Sequence, residues 1–187
     1  MGISRRRLLM AGGLSFFVGA IPSRAAPRLG MDGLYEEPWL NRSSGDLQSD
    51  FAEAVKAKKT FAIVWELRGC PWCKRMHLEN FARADIATYL SENFYMIQLN
   101  IQGQREIKDL KGEILTEEAL SYSSGINSTP TMQFFRPSDA SKPREAGRIA
   151  YVEPDKFLLV LRYAREGGYD SGTFEDWVRT HRNPSQP

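Results

Sequence analysis

Two cysteines, Cys70 and Cys73, stand at the point where one residue pattern gives way to another. Before them, Thr60 to Leu67 reads Thr-Phe-Ala-Ile-Val-Trp-Glu-Leu, a nearly continuous apolar run. A run of that length and character belongs to a strand covered on both faces. Arg68-Gly69 breaks it. From Pro71 a helical pattern begins, with Trp72, Met76 and Phe81 on one side and Lys74, Arg75 and Glu79 elsewhere. A buried strand that delivers a Cys-x-x-Cys pair to the first turn of a helix requires a sheet sandwiched between helices.

The same placement constrains the chemistry. Residues i and i+3 on a helix lie close enough for a disulfide. The helix start points unpaired N–H groups and a positive dipole end at Cys70, which lowers a thiol's pKa and makes it a better nucleophile. Pro71 suits a first turn because it has no N–H to waste. Cys70 is therefore the expected attacking thiol and Cys73 the resolving one. A structural bridge here would close too small a loop to constrain the unfolded chain much. A zinc site would need Cys70, Cys73, His77 and a fourth ligand, with His181 far away near the tail. Haem attachment needs His after the second Cys, and Lys74 stands there. These are the only two cysteines in 187 residues, so a disulfide-dense scaffold is excluded.

Around this centre the pattern alternates. Asp46 is placed to cap a helix carrying Leu47, Phe51, Ala54 and Val55 on one face. Asp85 is the expected cap of a helix with Ile86, Tyr89 and Leu90 turned inward. Phe94 to Ile101 reads as a second buried strand. Gln102 to Leu115 is a polar insertion bearing Gly103 and Gly112. Thr116 caps a helix with Glu117 and Glu118 in its first turn. Thr131 to Phe135 and Ala146 to Tyr151 read as paired strands around a turn from Pro137 to Pro143. Pro154 opens a helix ended by Gly167 and Gly168. Thr173, with Asp176 three residues on, starts a final short helix. The expected fold is α/β, a central mixed sheet flanked by helices with a short C-terminal helical extension. Strand–helix alternation predicts parallel neighbours, and the late strand pair adds an antiparallel edge.

The N-terminus reads as an address. Arg5, Arg6 and Arg7 precede an apolar run from Leu8 to Ile21, and Ser23, Arg24, Ala25 and Ala26 follow. This matches a signal peptide over residues 1–25, with cleavage after Ala25 or Ala26. Ser-Arg-Arg-x-Leu-Leu also resembles a twin-arginine signal. The run is shorter than the roughly 20 residues that a spanning helix needs. Residues 1–25 hold four arginines and no acid, so their removal turns a formal charge of +2 into −2. No basic, aromatic-interleaved run remains to suggest nucleic acid. The expected organisation is a lead-in over 26–45, a domain over 46–182 and a tail over 183–187. The mature chain is expected in an exported compartment, where disulfides form and persist.

Thr129-Pro130 is the second element. A proline at the start of a core strand suits an edge or a cis peptide. A cis bond would present the Thr129 backbone to a substrate beside the cysteines, where an extended peptide can pair with it.

Cys70-Pro71-Trp72-Cys73 followed by Thr129-Pro130 resembles the thioredoxin superfamily, over roughly Asp46 to Gly167. Within it the chain is similar to the SoxW type, exported thioredoxin-like proteins of sulfur-oxidation operons. Glu66 to Cys73, Asn100 to Glu118 and Ser128 to Thr131 carry that similarity. The resemblance implies a thioredoxin fold and a periplasmic thiol–disulfide oxidoreductase, with no cofactor beyond the Cys70–Cys73 pair and no metal. A membrane thiol transporter would supply electrons, and a disulfide-bearing periplasmic protein would receive them, in support of thiosulfate oxidation. The protein would act as a monomer, with Trp72, Thr129 and Pro130 binding the substrate. The chain departs from thioredoxin between the cysteines, where Pro-Trp replaces Gly-Pro. Val64 stands where thioredoxin has a buried Asp, six residues before the first Cys. Glu66 is the candidate proton relay in its place. The competing readings are a disulfide oxidase or isomerase, and a non-enzymatic metal- or partner-binding module.

Overall fold

The computed structural model describes residues 27–137 and 143–181. The expected signal peptide, the tail from residue 183 and most of the turn at 137–143 lie outside the described residues. Two short antiparallel strands come first, β1 (Arg28–Leu29) and β2 (Tyr35–Glu36). Helix α1 (Leu47–Lys56) follows. Strand β3 (Thr60–Glu66) leads into α2 (Pro71–Arg75), which continues as a π-helical turn over Met76–Phe81. Helix α3 (Ala84–Asn93) and strand β4 (Phe94–Asn100) complete the first crossover. The polar insertion folds as a hairpin of β5 (Glu106–Lys108) and β6 (Ile114–Thr116). Then come α4 (Glu117–Ser123), β7 (Thr131–Pro137), β8 (Pro143–Ala150) and three helices, α5 (Pro154–Arg165), α6 (Gly168–Ser171) and α7 (Phe174–His181).

The main sheet runs β4-β3-β7-β8. β3 is parallel to β4 and antiparallel to β7, which is antiparallel to β8. The antiparallel part therefore begins one strand earlier than alternation alone predicts. Helix α4 has seven residues, about 10 Å of rise. A seven-residue strand is about 23 Å long, so α4 cannot carry the chain back to the far end of the sheet. β7 starts near the end where β4 finished and must run the other way.

Alternation along β3 splits its side chains between two cores. Phe61, Ile63 and Trp65 pack with Leu47, Phe51, Ile97, Leu99 and Phe135. Ala62 and Val64 pack on the other face with Met76, Phe81, Ile86, Phe94, Met96, Phe134 and Phe157. The Trp65 indole N–H donates to Gln133 Oε1 at 2.6 Å, so β3 and β7 are tied by a satisfied polar pair as well.

The caps follow local chemistry. Asp46 Oδ1 accepts from the N–H of Gln48 and Ser49 at 2.9 and 3.1 Å, an arrangement worth about 1 kcal/mol. Thr116 Oγ1 accepts from Ala119 N–H, and Thr173 Oγ1 from Asp176 N–H. Asp85 is not a cap. It lies inside the first turn of α3 and pairs with Arg83, which holds the cap position without a side-chain cap bond. Helix α3 begins at Ala84, two residues too early for Asp85 to precede it.

The stretch ahead of α1 lies on the sheet. Leu34 is buried. The Trp39 ring meets Phe81 edge-on at 5.0 Å. Asn41 pairs with Met96 through its backbone N–H at 2.7 Å, and its side-chain oxygen accepts from Met96 N–H at 3.2 Å.

Candidate active site

Cys70 is the N-cap residue of α2, with Pro71 at the first helical position. Its Sγ accepts the Cys73 N–H at 3.1 Å and the Thr129 hydroxyl at 3.3 Å. The Thr129 carbonyl oxygen lies 3.5 Å from the same sulfur. The Thr129–Pro130 peptide is cis. Both thiols are free, Cys70 half-buried and Cys73 only 2% exposed. Burial pushes the Cys73 thiol far above the ordinary thiol range, and the Cys70 hydrogen bond and the Glu66 charge push it further. The two sulfurs thus sit in different environments, one at the surface and one sealed beneath it.

Trp72 stands half-exposed at the surface, whereas Met76 and Phe81 are buried in the core. The Met76 N–H still bonds to the Trp72 carbonyl one α-helical turn back, so the two differ in depth and not in register: Trp72 lies in the first turn of α2, beside Tyr151, and Met76 one turn further on, in the core. The Trp72 and Tyr151 rings lie 5.3 Å apart. The Arg75 guanidinium sits 5.4 and 5.0 Å from the two ring centroids. Glu79 accepts from Arg75 Nε at 2.8 Å and from the Tyr151 hydroxyl at 2.7 Å. Arg75 is therefore held away from Cys70, and Lys74 is exposed. Trp72, Thr129, Pro130 and Tyr151, with Ser128 and Ala150, line a groove of about 240 Å³ beside Cys70.

Glu66 is fully buried at the end of β3. It shares the parity of Val64, so it lies on the same face of the strand, one step nearer the cysteine helix. One oxygen accepts from Gln98 Nε2 at 2.5 Å, and the other lies 2.9 Å from His77 Nε2. His77 Nδ1 lies 3.0 Å from Glu37 Oε1. Burial opposes the charged imidazolium, but the hydrogen bonds to Glu37 and Glu66 outweigh it and raise the His77 pKa to about 9. His77 is thus turned to carboxylates and not to the thiols. His181 stacks on Trp177 at 4.4 Å. Among the described residues no group of three or more His, Cys, Asp or Glu is arranged to hold a metal.

A β3–α2 junction with two cysteines, a cis-proline loop opposite and a four-stranded mixed sheet define a recognisable frame. The family model of a thioredoxin-like domain matches residues 47–165, from the start of α1 to the end of α5.

The chain belongs to the thioredoxin-like domain family.

Solved structures of thioredoxin fold superpose on it. A thioredoxin from Thermus thermophilus has 19% identity and a TM-score of 0.55, covering 71% of this chain and 93% of that one. A thioredoxin-fold protein from Helicobacter pylori has 20% identity and a TM-score of 0.54, covering 66% and 81%. The oxidoreductase DsbH has 12% identity and a TM-score of 0.50, covering 87% and 95%. At these identities the likeness is one of fold. No curated protein matches the sequence. Among the described residues no helix is long and apolar enough to cross a membrane.

Within the thioredoxin-like frame, Cys70, Trp72, Thr129 and Pro130 meet at one surface, and Cys73 and Glu66 lie beneath it. Three participants have no clear sequence signal. Tyr151 comes from the segment after β8, and Glu37 comes from outside the family match. His77, one turn beyond Cys73, is visible as a neighbour of the pair, but its partners are not.

Proposed function

We propose that the protein is an exported thiol–disulfide oxidoreductase that reduces disulfides on a partner protein in the periplasm. The observation that carries this reading is the asymmetry of the pair. Cys70 Sγ lies at the surface against Thr129, while Cys73 is sealed below it with its thiol held protonated. An extended segment of the partner lies in the groove of Trp72, Pro130 and Tyr151 and pairs with the backbone of Thr129. The Cys70 thiolate attacks one sulfur of the partner's disulfide, and the other sulfur leaves as thiolate. Cys73 then loses its proton and attacks Cys70 Sγ. The Cys70–Cys73 disulfide forms and the second partner sulfur departs. Two electrons have passed to the partner, and a membrane thiol transporter restores the dithiol. The similarity of Glu66 to Cys73 and of the Asn100 to Glu118 stretch to the SoxW type supports the periplasmic setting and a partner in thiosulfate oxidation.

The decisive experiment is the equilibrium reduction potential of the Cys70–Cys73 pair, followed by Trp fluorescence in dithiothreitol or glutathione buffers. A value near roughly −270 mV, as in thioredoxin, is expected of a reductase. A value near about −120 mV would make the protein an oxidase and overturn the reading.

A further inference from the structure

Three ionisable side chains lie buried under the cysteine pair, and none of them takes part in the sulfur exchange itself. Glu66, His77 and Glu37 form an unbroken line, Glu66 Oε1 to His77 Nε2 at 2.9 Å and His77 Nδ1 to Glu37 Oε1 at 3.0 Å. Their side chains are at most 2% exposed. An N···O contact of that length holds a proton. Two such contacts hold two protons, both on the imidazole, or one on it and one on a carboxyl group. These arrangements share one heavy-atom geometry and one net charge. A proton can therefore cross the line without any side chain moving.

At the inner end of the line, the charge of Glu66 acts on the Cys73 thiol, and Gln98 pins the carboxylate through its second oxygen. At the outer end, Glu37 and Gln98 both line a polar cavity of about 670 Å³, together with Asp32, Glu36 and Arg68. A water occupies about 30 Å³, so the cavity has ample room for solvent. The rings of Tyr35 and Phe81 flank His77, centred 5.2 and 4.9 Å away. A partner docked over Cys70 and Trp72 covers the upper side of a thiol that is already 2% exposed, so its proton needs a lower exit.

We propose that Glu66, His77 and Glu37 are a proton relay joining Cys73 to the polar cavity behind the site, with His77 and Glu37 acting through Glu66. The proposal rests on the dithiol-exchange reading. In resolution the Cys73 S–H bond breaks and its proton passes to Glu66. The sulfur's electron pair forms the bond to Cys70 Sγ. The Cys70–partner bond breaks with its electrons on the partner sulfur. One proton leaves the line at Glu37 into cavity solvent.

Dithiobis(nitrobenzoate) separates the steps, since attack by Cys70 releases one coloured thiolate and resolution by Cys73 releases a second. Stopped-flow rates of both phases are measured against pH for wild type and Glu37→Gln. The expected result is an unchanged first phase and a second phase slowed at least about tenfold, below the roughly 10²–10⁴ of a group that takes the proton directly, with its pH profile displaced. A second phase with the wild-type rate and pH profile overturns the relay, even if the variant melts earlier. On wild type alone, NMR of labelled imidazole nitrogens should give His77 titration curves that differ between dithiol and disulfide forms, and coincident curves would also overturn it. A wild type that never releases the second thiolate removes the exchange reading and the relay with it.

Discussion

Cys73 shows how one side chain's surroundings set its role. The thiol is buried, hydrogen-bonded to Cys70 and acted on by the Glu66 charge, and each of these disfavours the thiolate. In the proposed exchange it attacks only after its proton is taken, so it would resolve and not initiate. Cys73→Ala should accumulate a stable mixed disulfide through Cys70, visible by mass spectrometry after mixing with a disulfide substrate. Cys70→Ser should form none and turn over at the uncatalysed rate. His77 carries a second consequence. Its pKa rises from 6.5 unfolded to about 9 folded, so its contribution to stability is complete below about pH 6.5 and is lost as pH rises through about 9. The amount is on the order of 3 kcal/mol. Urea unfolding between about pH 6 and pH 10 should show this decline in wild type, and His77→Gln should flatten it. An equal decline in both would mean that His77 does not hold the proton.

At the level of elements, the active surface is a joint between α2 and the end of β8. Trp72 and Tyr151 face each other across Arg75, and Glu79 ties Arg75 to the Tyr151 hydroxyl. Burial and the bond to Glu79 raise the Tyr151 phenol to about 12, so it stays a donor at neutral pH. The cluster braces a half-exposed indole beside the reactive sulfur. An aromatic anchor of that kind supplies contact area to a protein partner and little to a small disulfide. Trp72→Ala should raise KM for a protein disulfide about tenfold, the equivalent of roughly 1.4 kcal/mol, with the rate toward a small disulfide nearly unchanged. Equal losses on both substrates would place Trp72 in the chemistry and not in recognition.

For the molecule as a whole, the segment before α1 closes one side of the core and supplies a member of the buried triad. Trp39 covers Phe81, Leu34 is buried, and Glu37 reaches His77. A chain beginning at Ser43 loses all three and leaves His77 and Glu66 without their outer carboxylate. Its unfolding free energy should fall by at least about 3 kcal/mol, the scale of removing one large aromatic from a core. Denaturant midpoints of the two chains measure it, and coincident midpoints would show that the segment only rests on the surface.

The amino-acid pattern settles whatever is decided within a turn or a strand. The alternation of Phe61 to Trp65, the caps at Asp46 and Thr116, and the meeting of a buried strand with a Cys-x-x-Cys helix are local, and they suffice for the α/β sandwich. Glu66 too is legible as an acid on the strand face that Val64 occupies. What depends on non-local geometry could be decided only by the packed chain. β7 runs antiparallel because α4 is too short to carry the chain back, and Trp72 stays at the surface because it packs on Tyr151 in the first turn of α2 while Met76, one turn on, reaches the core. The partners of His77 are 11 and 40 positions away in sequence. No period links such residues, and they meet because burial of three polar groups is tolerable only where each satisfies the next.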